Sequence, residues 1–122
     1  MPVKVVDASA LAALLFSEPA ADEVAGRLTD AELAAPGLLS YELGNICSKK
    51  CRRHPDQARE LRQAYQLLPA MGLRLYQVDG EAVLDAALQH DLTVYDASYL
   101  WLARQLTAPL VTLDQRLARL AG

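Results

Sequence analysis

The spacing of apolar residues changes period repeatedly along this chain, and each change marks an element boundary. Residues 3–6, VKVV, are a short apolar run that stops at Asp7 and predicts a buried strand. An Ala- and Leu-rich helix follows from Ser9 to Phe16 and is broken by SEP at 17–19; Ala21, Val24, Ala25 and Leu28 mark a second helix. ELAA at 32–35 predicts a strand that ends before Pro36. A longer helix runs from Leu38 to about Arg53 and is stopped by Pro55. Asp56 reads as the N-cap of the next helix, with Ala58, Leu61, Tyr65 and Leu68 on one face. LRLYQV at 73–78 alternates like a strand, and Val83, Leu84, Ala87 and Leu88 form a helical stripe. Asp96 opens a helix carrying Tyr99, Leu100, Ala103 and Leu106; PLVTL at 109–113 is a last strand, and Asp114 opens a final short helix.

Strands that alternate with helices over short connections define an α/β fold with a mostly parallel sheet. Function in such sheets gathers beyond the carboxyl ends of the strands. Asp7 and Asp114 both fall at that edge.

Composition narrows the class. The 122 residues suit one domain over 1–122, and 52% hydrophobic with 22% charged residues excludes a disordered chain. No apolar run approaches the roughly 18 to 20 residues needed to span a bilayer, and Asp7 interrupts the N-terminal apolar stretch, so a soluble cytoplasmic protein is expected. Cys47 and Cys51 are too few for a disulfide framework. With His54 they spell C-x3-C-x2-H, which offers only three ligands and is read as ordinary helix thiols rather than a zinc site.

The acids carry the chemistry. Asp7, Asp96 and Asp114 each precede or open a helix, where an aspartate can simply accept backbone N–H bonds as a cap. Glu42 differs, because it lies inside the helix of GLLSYELGNI, on the stripe of Leu38, Leu39 and Ile46. A carboxylate on an apolar stripe needs a cation or hydrogen-bond donors, and no basic residue lies one turn away on that stripe. If the three aspartates converge on Glu42, their mutual repulsion calls for a divalent cation, and an all-carboxylate donor set selects Mg²⁺ or Mn²⁺ over zinc. An open acidic site of this kind suits phosphodiester hydrolysis by an activated water. The net charge of −3 is no obstacle to a polyanionic substrate: fifteen acids less these four leaves eleven, against twelve Lys plus Arg.

VVDASALAALL, YELGN, TVYDASYLWLA and LVTLD, taken in order, resemble the PIN domain, and closely its VapC-type toxin branch. The resemblance covers essentially the whole chain. It implies a compact three-layer α/β nuclease fold with a central, mostly parallel sheet of four to five strands. It also implies a Mg²⁺- or Mn²⁺-dependent endoribonuclease, the toxin of a toxin–antitoxin pair, with an RNA substrate, a cognate antitoxin and a homodimer. Carried onto this sequence, Asp7 and Asp96 would be the principal metal ligands, and Glu42 and Asp114 would complete the catalytic site. Thr112 and Ser9 match hydroxyl positions that support the cluster by hydrogen bonding. Many relatives continue into another strand, whereas this chain stops at Gly122, so four strands are as consistent as five.

The dense basic stretch SKKCRRH at 48–54 is read both as helix-end charge compensation and as a phosphate-gripping rim using Lys49, Lys50, Arg52 and Arg53. Tyr95, Tyr99 and Trp101 flank Asp96; Tyr99 shares the core stripe, and Trp101 lies off it. Two rivals stand beside the nuclease reading. A receiver-like or haloacid-dehalogenase-like phosphoryl-transfer domain lacks the second acid it needs near the first strand, where this chain has Ser9. A non-catalytic PIN-like module that binds RNA or protein is disfavoured by the presence of all four acids.

Overall fold

In the computed structural model, which describes residues 1–122, VKVV forms β1 (Val3–Val6), followed by α1 (Ala8–Leu15) and α2 (Ala21–Leu28). β2 (Glu32–Pro36) leads into α3 (Leu39–Arg53), and a 3-10 turn over Pro55–Gln57 into α4 (Ala58–Tyr65). A second 3-10 turn over Leu68–Met71 ends at Gly72, whose φ of +71° a side chain would resist, and β3 (Arg74–Tyr76) follows. α5 (Gly80–His90), α6 (Val94–Gln105), β4 (Leu110–Val111) and α7 (Gln115–Ala121) complete the order.

All pairings are parallel, in the spatial order β3-β2-β1-β4. The chain therefore winds outward from β1 to β3 and then crosses back, so that β4 lies on the other side of β1. That reversal opens a crevice at the carboxyl ends of β1 and β4, where open α/β sheets place their sites. The Asp7 N–H donates to the Val111 carbonyl at 3.1 Å, which fixes the backbone one residue beyond β1 against the end of β4.

Successive strand residues point to opposite faces. Val5 and Val6 are both fully buried, as are Ala34 and Ala35, so helices cover both faces of the sheet. The small side chains of Ala10, Ala12 and Ala13 let α1 sit close to its neighbours, and Leu11, Leu39, Leu43 and Leu100 fill the same continuous core. No helix is long and apolar enough to cross a membrane.

Several boundaries differ from the sequence reading, β2 among them, since it runs on through Pro36. Asp56 is not an N-cap: Pro55 starts a 3-10 turn, and α4 begins at Ala58 with no side-chain cap. The strand expected over 73–78 shrinks to Arg74–Tyr76, because only Ala34, Ala35 and Pro36 of β2 pair with it. The last strand shortens to Leu110–Val111, because only Val5 and Val6 of β1 pair with it. Asp96 does not open its helix either; Thr93 is the cap, and its Oγ1 accepts the Asp96 N–H at 3.0 Å.

Candidate active site

Asp7 stands at the turn from β1 into α1, in extended backbone, and caps the helix through the Ala10 N–H at 3.0 Å. Capping uses only part of its carboxylate. Ser9 Oγ also donates to Oδ1 at 2.7 Å, and Thr112 Oγ1 donates to Oδ2 at 2.5 Å. With 4% of its surface exposed, Asp7 is a buried carboxylate held on both oxygens. Burial pushes its pKa up, the Thr112, Ala10 and Ser9 hydrogen bonds oppose that rise, and Asp114 adds repulsion.

Thr112, at the end of β4, is the hub of this arrangement. While donating to Asp7, its hydroxyl accepts the Asp114 N–H at 3.0 Å. Ser9 Oγ likewise accepts the Leu113 N–H at 3.0 Å, so two hydroxyls lace the ends of β1 and β4 together. Arg27 on α2 donates to the Thr112 carbonyl at 3.2 Å, and the Arg27 carbonyl is held in turn by Lys4 Nζ. Sequence periodicity gives no hint of Arg27, because the contact joins residues 85 positions apart. Asp114 is exposed and caps α7 through the Leu117 N–H at 3.0 Å.

Asp96 lies inside the first turn of α6, and because Thr93 supplies the cap, its carboxylate is not spent on the helix. Burial raises its pKa first, and repulsion from Asp114 and Asp7 raises it further; Thr93 and Arg116 oppose. The Arg116 guanidinium is itself tied to the carbonyls of Asp91, at 2.9 Å, and His90.

Glu42 sits in the first turn of α3, nearer the helix start than the sequence suggested, where the dipole favours a negative charge. Its partner is a phenol rather than a cation. Tyr99 donates to Glu42 Oε1 at 2.5 Å, reaching across 57 positions of sequence. Burial raises the pKa of Glu42, the Tyr99 bond lowers it, and Asp96 and Asp7 raise it again. The phenol is pushed far above its usual range by burial and the facing carboxylates, so it remains a donor. Gly44, two residues on, has its own reason: a Cβ there would meet the Tyr65 hydroxyl at 3.2 Å, and that hydroxyl docks α4 by donating to the Ser40 carbonyl at 3.1 Å.

Asp7, Asp96 and Asp114 thus come from separate segments into electrostatic reach of one another, and Glu42 into reach of Asp7 and Asp96. None forms a salt bridge; the ion pair in the protein is Lys50 with Glu18, at 2.5 Å, with Lys50 Nζ also lying 5.7 Å from the Phe16 ring centre. Lys50 is therefore already engaged, whereas Lys49, Arg52 and Arg53 are exposed. Uncompensated carboxylates stay apart, and no three acidic, His or Cys side chains are placed to hold one metal ion together. Cys47 and Cys51 are free thiols.

Crowding of acids has a consequence for stability. Asp7, Glu42 and Asp96 have folded pKa values above their ordinary 3.8, 4.5 and 3.8, so the native state holds more protons than the unfolded chain between the two values. Stability from these groups is full below the unfolded values and falls as pH rises through the raised folded ones. Denaturant unfolding without divalent ions, stepped from acid to neutral pH, should show this fall; replacing Asp96 by Asn should flatten it.

A family model, described as the PIN domain, matches residues 4–122. Among curated proteins, the chain is 37% identical to Ribonuclease VapC3 of Pyrobaculum aerophilum over 122 residues, covering 93% of this chain and 91% of that protein. It is 32% identical to Ribonuclease VapC1 of Mycobacterium tuberculosis, covering 97% of this chain and 90% of the relative. The crystal structure of PAE2754 from Pyrobaculum aerophilum superposes with a TM-score of 0.80 at 26% identity, covering 98% of this chain and 84% of that one.

Proposed function

This chain belongs to the PIN-domain family, and from that premise we propose that it is a VapC-type endoribonuclease, the toxin of a toxin–antitoxin pair, dependent on Mg²⁺ or Mn²⁺. One observation supports the reading: Asp7, Asp96 and Asp114 lie close enough to repel one another, Glu42 feels Asp7 and Asp96, and no Lys or Arg is ion-paired to any of the four. Relatives matched over nearly their whole length are named ribonucleases.

The donor set is of the type that a hard dication selects, though no three of its side chains are placed to hold one ion in this structure. It offers carboxylate oxygen alone, and burial with mutual repulsion raises three of the four pKa values, a cost that a dication would offset. Asp7 and Asp96 would hold the ion, and Glu42 and Asp114 would complete the site. When bound, such an ion supplies Lewis-acid activation of a water and neutralises charge developing on the leaving oxygen. The protein's own part is positioning. Ser9 and Thr112 fix both oxygens of Asp7, Thr93 relieves Asp96 of capping, and Tyr99 holds Glu42. No side chain is required as nucleophile, and in-line attack by water leaves a 5′-phosphate and a 3′-hydroxyl.

RNA would reach the site along the exposed Lys49, Arg52 and Arg53, with Lys50 held back by Glu18. A cognate antitoxin, a homodimer and a cytoplasmic setting belong to the same reading. The test is cleavage of single-stranded RNA with Mg²⁺ or Mn²⁺, repeated after chelation with EDTA. Cleavage that survives chelation would remove the metal-dependent mechanism, and RNA retention without cutting would favour a binding module.

A further inference from the structure

The hydrogen bonds divide the acids into two pairs. Asp7 and Asp114 share Thr112, whose hydroxyl donates to the carboxylate of one and accepts the N–H of the other. Glu42 and Asp96 share α6, because the Tyr99 phenol that binds Glu42 lies one turn after Asp96 on that helix. The first pair is built on the ends of β1 and β4, the second on the first turns of α3 and α6. Asp114 and Asp96 repel each other across the gap, and no ion pair draws them together.

Arg116 crosses that gap. It stands in the first turn of α7, just after Asp114, and its guanidinium reaches the turn between α5 and α6. Nη1 donates to the Asp91 carbonyl at 2.9 Å and Nη2 to the His90 carbonyl. Those carbonyls close α5, where Asp91 is left-handed at φ +53°, and a helix C-terminus favours a cation. Thr93, next but one along the chain, caps α6 and leaves Asp96 free of that task. The other side-chain bond between α6 and α7, from Arg104 to the Leu120 carbonyl at 3.5 Å, lies at the far end of α7. With seven residues α7 is too short to stand alone, so its start depends on what grips it.

We propose that Arg116 is a positioning residue that locks the Asp7–Asp114 pair onto the Glu42–Asp96 pair and so sets the spacing of the acids. This rests on the nuclease reading above. The fork matters more than the charge: a planar guanidinium serves two neighbouring carbonyls at once, whereas a lysine is a point charge on a flexible stem. The guanidinium forms no ion pair with Asp96 or Asp114, so it spans the site without occupying a carboxylate.

The test compares wild type with Arg116→Gln and Arg116→Lys by RNA cleavage kinetics with Mn²⁺ and by amide hydrogen exchange without metal. Arg116 is exposed, so neither change opens the core. Misplacing a reacting group by about 1 Å can cost about 100-fold, so kcat should fall by about that factor in both variants with KM little changed. The Leu117 and Ala118 amides close α7 on Asp114, and their exchange should quicken at least about tenfold in both variants. Exchange of the Leu11 and Leu43 amides should stay as in wild type. Rescue of kcat by Arg116→Lys, or a raised KM at unchanged kcat, would show a charge acting on RNA and overturn the proposal. Unchanged exchange at Leu117 and Ala118, or faster exchange throughout the core, overturns it as well. In each of these cases the nuclease reading survives. Wild type that cuts no RNA overturns the reading and the proposal together.

Discussion

Asp96→Asn should lower RNA cleavage by about 100- to 1,000-fold, since Lewis-acid stabilisation is worth several kcal/mol and each 1.36 kcal/mol is a factor of ten. It should do so without unfolding the protein. Asp96 caps nothing, because Thr93 performs that task, and the change removes one of the acids that repel one another. The thermal midpoint in the absence of divalent ions should therefore rise at neutral pH, while the rise produced by adding Mn²⁺ shrinks. Lower activity with higher stability separates a functional acid from a structural one. Asp7→Asn should cause a loss of cleavage of similar size, with the α1 cap preserved because Asn caps as well as Asp. Wild-type rates of RNA cleavage in both variants, measured with saturating Mn²⁺, would sink the assignment.

The second large effect runs the other way. Leu100→Ala removes a fully buried side chain from α6, the helix that carries both Asp96 and Tyr99. Such a cavity costs about 2–5 kcal/mol, a large part of the roughly 5–15 kcal/mol that holds a domain together. Urea unfolding should show the midpoint falling with little change in slope. At low temperature, where the variant is still folded, cleavage per folded molecule should stay close to wild type. A variant as stable as wild type would mean that the space is refilled by neighbouring side chains.

Much of this molecule was legible before any coordinates. Apolar periodicity separated the elements because a helix stripe and a strand run differ in period, and the four-strand sheet follows from that alternation. The ordered motifs named the family correctly. Strand lengths were less legible: LRLYQV has six residues of strand character, but β2 offers a partner to only three of them. The cap assignment at Asp96 failed because Thr93, three residues earlier, competes for the same backbone donors with a hydroxyl.

At the site, the puzzle of Glu42 was visible in the sequence and its answer was not. The helix stripe of Glu42 holds no cationic partner, because the partner is a phenol from another helix. Tyr99 was rightly placed in the core by its stripe, yet periodicity describes the ring and is silent on the hydroxyl. Arg27 left no trace at all, as its role depends on a carbonyl at the end of β4. Thr112 and Ser9 were found only through the family pattern. A β-branched residue ending a strand, or a serine near a helix start, has ordinary local reasons to be there.

The strand order has a bearing on how the protein is made. β1 waits for a neighbour, β4, that leaves the ribosome more than a hundred residues later, and the Thr112 hydroxyl that grips Asp7 arrives with it, 105 positions downstream. A partly synthesised chain can already display Asp7 and Glu42, but it cannot assemble them with Asp96 and Asp114. On the proposed reading, the acidic site therefore cannot form until β4 and Asp114 have been made.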